Sequence, residues 1–125
     1  MNGGYGHPRP AGGFELYSWL FMRVSGLLLL FLTLGHLFIM HIQVGIENVD
    51  YQFVARRYAT PFWRTYDLLM LLLALFHGLN GARILVDDYV RTPGWKIFWI
   101  TLLYLVALLF TVIGSLVILT FQPRF

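Results

Sequence analysis

The chain has 125 residues, of which 58% are hydrophobic, 18% aromatic and only 12% charged, with a mean hydropathy of +0.69 and a net charge of +3. A water-soluble domain of this size carries roughly twice that share of charge, so the composition is that of a membrane protein. The absence of cysteine excludes disulfides, zinc-thiolate centres and protein-ligated iron–sulfur clusters, and with no basic run the chain offers nothing to nucleic acid.

Residues 1–13 include Gly3, Gly4, Gly6, Pro8, Pro10, Gly12 and Gly13 and read as a flexible or extended tail. They lack the compact basic region of a cleavable secretory signal, and the apolar run that follows is too long for one. No charge falls between Arg23 and Glu47, a stretch of 23 residues. At 1.5 Å per residue that covers about 34 Å, enough for a hydrocarbon core of roughly 30 Å. Together with Phe14–Met22 it predicts a first helix over 14–43.

In the connection that follows, Glu47, Asp50, Arg56 and Arg57 are interspersed with Tyr51, Phe53, Val54 and Tyr58, the pattern of a short interfacial helix or ordered loop. Next, Asp67 and Arg83 bracket 15 uncharged residues. Phe62, Trp63 and Tyr66 extend this run upstream and Ile84–Val86 downstream, predicting a second helix over 62–88 whose charges snorkel or pair near its ends. Arg91-Thr92-Pro93-Gly94 predicts a tight turn. A third helix is expected over 95–121, with Trp95 and Trp99 at one interface and Phe121 and Phe125 near the other. The fold class is therefore an all-α membrane protein with three transmembrane helices, a single domain over 14–125 with no internal repeat. Open sheets cannot span lipid, and these runs are too apolar for barrel strands. Five basic residues fall on the side of the tail and four on the other, so charge does not decide orientation.

Four histidines occur: His7, His36, His41 and His77. His7 lies in the tail and His41 near the end of the first helix, and neither carries a specific signal. His36 and His77 lie deeper. Each has two readings, a polar contact between helices or axial ligation of haem iron by neutral imidazole. Small residues beside a ligand let a haem plane approach the backbone. His77 has Ala74, Gly78 and Gly81 as neighbours, and His36 follows Gly35, although glycine also serves helix packing. At 100° per residue Ser25 and His36 share a face of the first helix, and His77 and Asp88 share a face of the second. The two histidines lie at different depths of antiparallel helices, so they would serve different haems. Arg23 is an interface anchor, or pairs a haem propionate, or with Ser25 lines a quinone pocket. Tyr89 is suited to donate to a quinone carbonyl and Asp88 to relay a proton. The plain alternative for that pair is a polar helix end with an aromatic anchor.

His77 through Tyr89, with Asp88-Tyr89 following the histidine by eleven and twelve residues, resembles the second helix of the small membrane-anchor subunit of succinate dehydrogenase, respiratory complex II. Tyr17-Ser18-Trp19-Leu20-Phe21-Met22-Arg23-Val24-Ser25-Gly26 resembles that family's Arg-x-Ser/Thr segment at the start of helix one. The likeness covers nearly the whole chain, and Gly35-His36-Leu37-Phe38-Ile39-Met40 with the long first loop is most similar to actinobacterial or thermophile-type anchors.

The resemblance implies half of a haem-binding bundle, completed by a second, cytochrome b556-like membrane subunit that supplies the other axial histidine to the iron held by His77. It implies a quinone contact at Tyr89 with Asp88 and Arg23 nearby, and His36 as ligand of a distal second haem b in two-haem members. FAD and iron–sulfur clusters would belong to flavoprotein and iron–sulfur partner subunits, so this chain alone has no catalytic activity. The location implied is the bacterial cytoplasmic membrane, with the N-terminus cytoplasmic. A quinol:fumarate reductase anchor fits the same residues, and a cofactor-free structural adaptor is the rival from another class. A self-contained cytochrome b module would carry two haem ligands on each of two helices, which this chain lacks.

Overall fold

A computed structural model describes residues 13–124; all of the expected tail but Gly13, with His7, lies outside them, as does Phe125. Helix α1 runs Phe14–Leu37 and continues without interruption into a π-helical segment, Phe38–Gln43. There the ladder widens, and the Val44 N–H reaches back five residues to the Ile39 carbonyl at 3.0 Å. Gly45, with φ +81°, ends it in a backbone conformation that side chains disfavour. A single 3₁₀ turn, Ile46–Asn48, leads to α2, Tyr51–Tyr58. The Asp50 carboxylate caps α2 by accepting the Phe53 N–H at 2.7 Å.

Helix α3 spans Pro61–Tyr89 and α4 spans Pro93–Thr120. Each opens on a proline, whose missing N–H is no loss in a first turn. Thr92 is held extended (φ −81°, ψ 121°) before Pro93, so the link is Val90-Arg91-Thr92 alone. The expected turn is thus displaced: Pro93 and Gly94 begin α4 instead of forming the connection.

Phe14–Gln43, Pro61–Tyr89 and Pro93–Thr120 are each long and apolar enough to cross a membrane, and no strand occurs among the described residues. Helix α3 is central, packing against α1 on one side and α4 on the other, while α2 folds against its first turns. Among the described residues the buried set is Ala55, Ile118, Ser25 and Arg57. Large side chains such as Phe31, Leu105 and Leu108 face outward along the whole length. In lipid that exposure carries no hydrophobic penalty, so register between helices must come from close packing and polar contacts. Both are present. A Cβ at Gly114 of α4 would stand 2.6 Å from Leu71 Cδ2 of α3. Between α1 and α3 the Tyr66 hydroxyl donates to the Leu32 carbonyl, and Ser18 and Asn80 exchange hydrogen bonds at 2.9 and 3.2 Å.

Candidate functional site

His77 stands midway along α3, and its imidazole is tied to α1. Ser25 sits opposite, only 1% exposed. Its Oγ is 2.5 Å from the Phe21 carbonyl oxygen one turn back and 2.8 Å from His77 Nδ1. Two oxygens that close require a proton between them, and serine has only one to give. The Ser25 hydroxyl therefore donates to Phe21, and its oxygen accepts the Nδ1–H of His77. That leaves Nε2 as the uncommitted ring nitrogen, and among the described residues it has no hydrogen-bond partner. Gly26 completes the seat: a Cβ there would lie 3.2 Å from His77 Cε1. Gly78, the next residue of α3, has open space where a Cβ would point.

These features fit a haem ligand. Iron would take the uncommitted nitrogen while the other is held by an outer partner, and Gly78 beside the ring adds no side chain. Among the described residues no three His, Asp or Glu side chains gather as a metal cage would need. Axial ligation takes a single imidazole from a chain and needs no such cage.

Toward the α3–α4 link lies a polar ladder. Asn80 pairs with Ser18, and the Arg83 guanidinium approaches Asn80 Oδ1 at 3.3 Å. Asp87 is bridged by Lys96 at 2.7 Å and more loosely by Arg83 at 3.8 Å. Tyr17, Ser18, Phe21, Phe76, Asn80 and Tyr104 border a cavity of about 420 Å³ on this half of the molecule. Asn80 is the residue that sequence reading missed. The available signal was an amide within an apolar run, expensive in lipid unless satisfied.

The helix register separates residues that sequence had grouped. Met22 meets Gly81 and Ser25 meets His77, so Arg23 is level with the stretch between them. Asp88 and Tyr89 lie seven and eight residues past Gly81, so Asp88 is about 10 Å further along the axis. Arg23 is exposed and lays its guanidinium over Trp19, 4.3 Å from the ring centroid and one turn closer to that end. Asp88 and Tyr89 close α3; Tyr89 is 80% exposed, and neither side chain has a hydrogen-bond partner among the described residues. Ser25 belongs with His77 and not with this end.

His36 occupies the last turn of α1, just before the π-helical segment, level with Tyr66. It is eleven residues beyond Ser25, about 16 Å along the helix. His36 and His77 therefore cannot serve one iron.

The opposite end is stapled by charge. Arg57, 6% exposed, pairs with Asp67 at 2.8 Å and stacks on Trp63 with its guanidinium 4.1 Å from the ring centroid. Burial, followed by the nearby Asp67 carboxylate, raises the Tyr58 phenol above its ordinary value, so it stays a neutral hydroxyl. Arg64 donates to the Leu119 and Phe121 carbonyls at 3.2 and 2.6 Å and to Tyr58 O, closing the C-terminal end of α4 against α2 and α3.

Three helices long and apolar enough to cross a membrane, with a seated imidazole midway along the second and a polar, aromatic end, define a polytopic membrane protein. Residues 9–118 match the family described as succinate dehydrogenase/fumarate reductase transmembrane subunit, and the chain belongs to that family. It is 31% identical over 74 residues to the succinate dehydrogenase hydrophobic membrane anchor subunit of Archaeoglobus fulgidus, a match covering 59% of this chain and 62% of the relative. With the subunit of the same name from Thermoplasma acidophilum it shares 32% identity over 65 residues, 52% of this chain and 53% of the relative. The succinate dehydrogenase 2 membrane subunit SdhC of Mycobacterium tuberculosis is 27% identical over 109 residues, 86% of this chain and 72% of the relative. The matches thus span between 53% and 62% of the length of the first two relatives.

Proposed function

We propose that this chain is the hydrophobic membrane anchor of a succinate:quinone oxidoreductase. It docks an iron–sulfur subunit and, through it, a flavoprotein, and it pairs with a second, cytochrome b-type membrane subunit. The single observation that supports this most strongly is the seated imidazole of His77 midway along α3, with Nε2 uncommitted among the described residues. His77 would hold haem b from this chain, together with a histidine of the partner subunit. When bound, haem supplies a one-electron relay beside the quinone site. His36 is the candidate ligand for a second, distal haem.

At the α3–α4 end this chain contributes the groups that a quinone requires. Quinone takes up two electrons and two protons to become quinol. The Tyr89 hydroxyl donates to a carbonyl of the ring, and the Asp88 carboxyl hands protons inward from water. The Arg23 guanidinium lies one level deeper and places positive charge where the reduced oxygen gathers negative charge. In this reading that end and the N-terminus face the cytoplasm of a bacterial cell. An anchor working in the direction of fumarate reduction uses the same residues, and the family description names both.

The test is haem content. In the whole complex purified from membranes, His77→Ala is expected to abolish or strongly perturb the b-type optical spectrum, with flavin content retained. An unchanged haem-to-flavin ratio would sink the assignment. In the unaltered complex a ratio near two supports His36, and a ratio near one removes it.

A further inference from the structure

We infer that Ser25 is a positioning residue for His77: its oxygen holds the Nδ1–H and thereby sets both the tautomer presented to iron and the electron density on Nε2. The inference rests on the reading of His77 as a haem ligand and goes beyond it, because it concerns which group tunes that ligand.

The geometry is specific. Ser25 is a buried hydroxyl with one proton, committed to the Phe21 carbonyl within its own helix. That bond does two things. It fixes the χ1 rotamer, so the oxygen points at α3, and it leaves that oxygen only an accepting role toward His77 at 2.8 Å. A serine elsewhere on α1 would be free to donate or accept, and the imidazole could then adopt either tautomer. Here only Nδ1–H satisfies the pair. Gly26, against Cε1, limits movement of the ring across this bond.

The chemical consequence follows from the second-shell rule for ligating histidines. Accepting the Nδ1–H makes Nε2 a better donor to metal, which favours the more positively charged ferric state. A hydroxyl acceptor does this more gently than a carboxylate. Ser25 therefore holds the potential of the iron below the value an unpartnered imidazole would give, without burying a negative charge in lipid. No other hydrogen bond to this ring occurs among the described residues, so removing Ser25 removes the effect.

The experiment uses the intact complex with three variants, Ser25→Ala, Ser25→Cys and His77→Ala, each normalised to flavin content and to succinate oxidation with an artificial acceptor. Redox titration of the b-type spectrum and the ferric low-spin EPR signal are the readouts. Ser25→Ala is expected to raise the midpoint potential, shift the EPR signal and loosen haem retention by roughly tenfold. Ser25→Cys leaves no cavity, being somewhat larger than serine, but is a weak acceptor, and is expected to shift the same way. A shift in the alanine variant with wild-type values for cysteine would mark a packing role and overturn the inference. So would unchanged potential and EPR in both serine variants while His77→Ala loses haem; the ligand assignment would then stand alone. Haem retained in His77→Ala brings down the ligand assignment itself, and the inference with it. Should the alanine variant not assemble, the cysteine variant carries the same comparison.

Discussion

Gly26 and His77 touch across the α1–α3 interface, where a methyl group on Gly26 would stand 3.2 Å from the imidazole Cε1. That is tighter than an ordinary contact, so the ring must yield by a few tenths of an ångström and its bond to Ser25 must stretch. Gly26→Ala is expected to broaden or shift the b-type spectrum and lower haem retention, by less than His77→Ala does. The sign is informative, since alanine in place of helical glycine favours the helix by up to about 1 kcal/mol. A loss of haem therefore cannot come from a weakened α1. A wild-type spectrum in Gly26→Ala would show that the seat is looser than the contact implies.

Tyr89 presents the opposite case, a residue with no structural duty within this chain. It is 80% exposed and unpartnered among the described residues, so removing its hydroxyl should change the stability of the chain by no more than about 0.5 kcal/mol. Tyr89→Phe is expected to depress quinone reduction while succinate oxidation by an artificial acceptor continues unchanged. Asp88→Asn should act in the same direction. If both activities fall together, the side chain serves assembly, and its assignment to quinone fails.

At the far end the pair Arg57–Asp67 is buried, at 2.8 Å, with Trp63 under the guanidinium. Asp67→Asn leaves a nearly inaccessible cation without its counter-charge, an error that costs on the order of 3–5 kcal/mol. The measurement is the midpoint of thermal inactivation of the detergent-solubilised complex. The double replacement Arg57→Met with Asp67→Leu is expected to recover much of the loss, because an apolar pair of similar volume needs no compensation. A double variant as unstable as Asp67→Asn would mean that Arg57 has a further partner outside this chain.

The three spans were legible in the sequence because lipid imposes length and apolarity that few other environments demand, as the charge-free stretch after Arg23 shows. The offset between helices was not legible. Helices that are apolar all round carry no stripe to declare which face meets which, so Ser25 read as a companion of Arg23 or of His36 on its own helix. Its partner proved to be His77 on another helix, a relation that single-helix periodicity cannot hold. The π-helical segment after Leu37 was silent for a similar reason: widening the ladder by one residue leaves no mark in a uniformly apolar run. The displaced turn had a clue that was misweighed, since Pro93 is as natural at the start of a helix as within a turn. Asn80 carried a signal, an amide within the charge-free stretch 68–82, but nothing in that stretch names the helix that supplies its partner.

Asn80 also yields the last expectation. It exchanges hydrogen bonds with Ser18 across the α1–α3 interface and offers Oδ1 to Arg83. In lipid such interhelical pairs contribute roughly 0.6 kcal/mol on average and seldom more than about 1.7. Asn80→Leu strips the Ser18 hydroxyl of its partner, leaves the Arg83 guanidinium with the distant Asp87 carboxylate and the Phe14 ring, and fills part of the neighbouring cavity with an apolar side chain. Ser18→Ala alone leaves the Asn80 amide unsatisfied. Each single variant should therefore lower the inactivation midpoint, while the double variant, with both polar groups gone, should fall by less than the sum. A coupling of zero in that cycle would mean that the two residues do not depend on each other and that the α1–α3 register is held by His77 and Tyr66 without them. Because Ser18 is two turns from Ser25 on α1, the cycle can also be read on the haem spectrum. If register is what Asn80 supplies, the spectrum shifts in Asn80→Leu even though Asn80 makes no hydrogen bond to the imidazole.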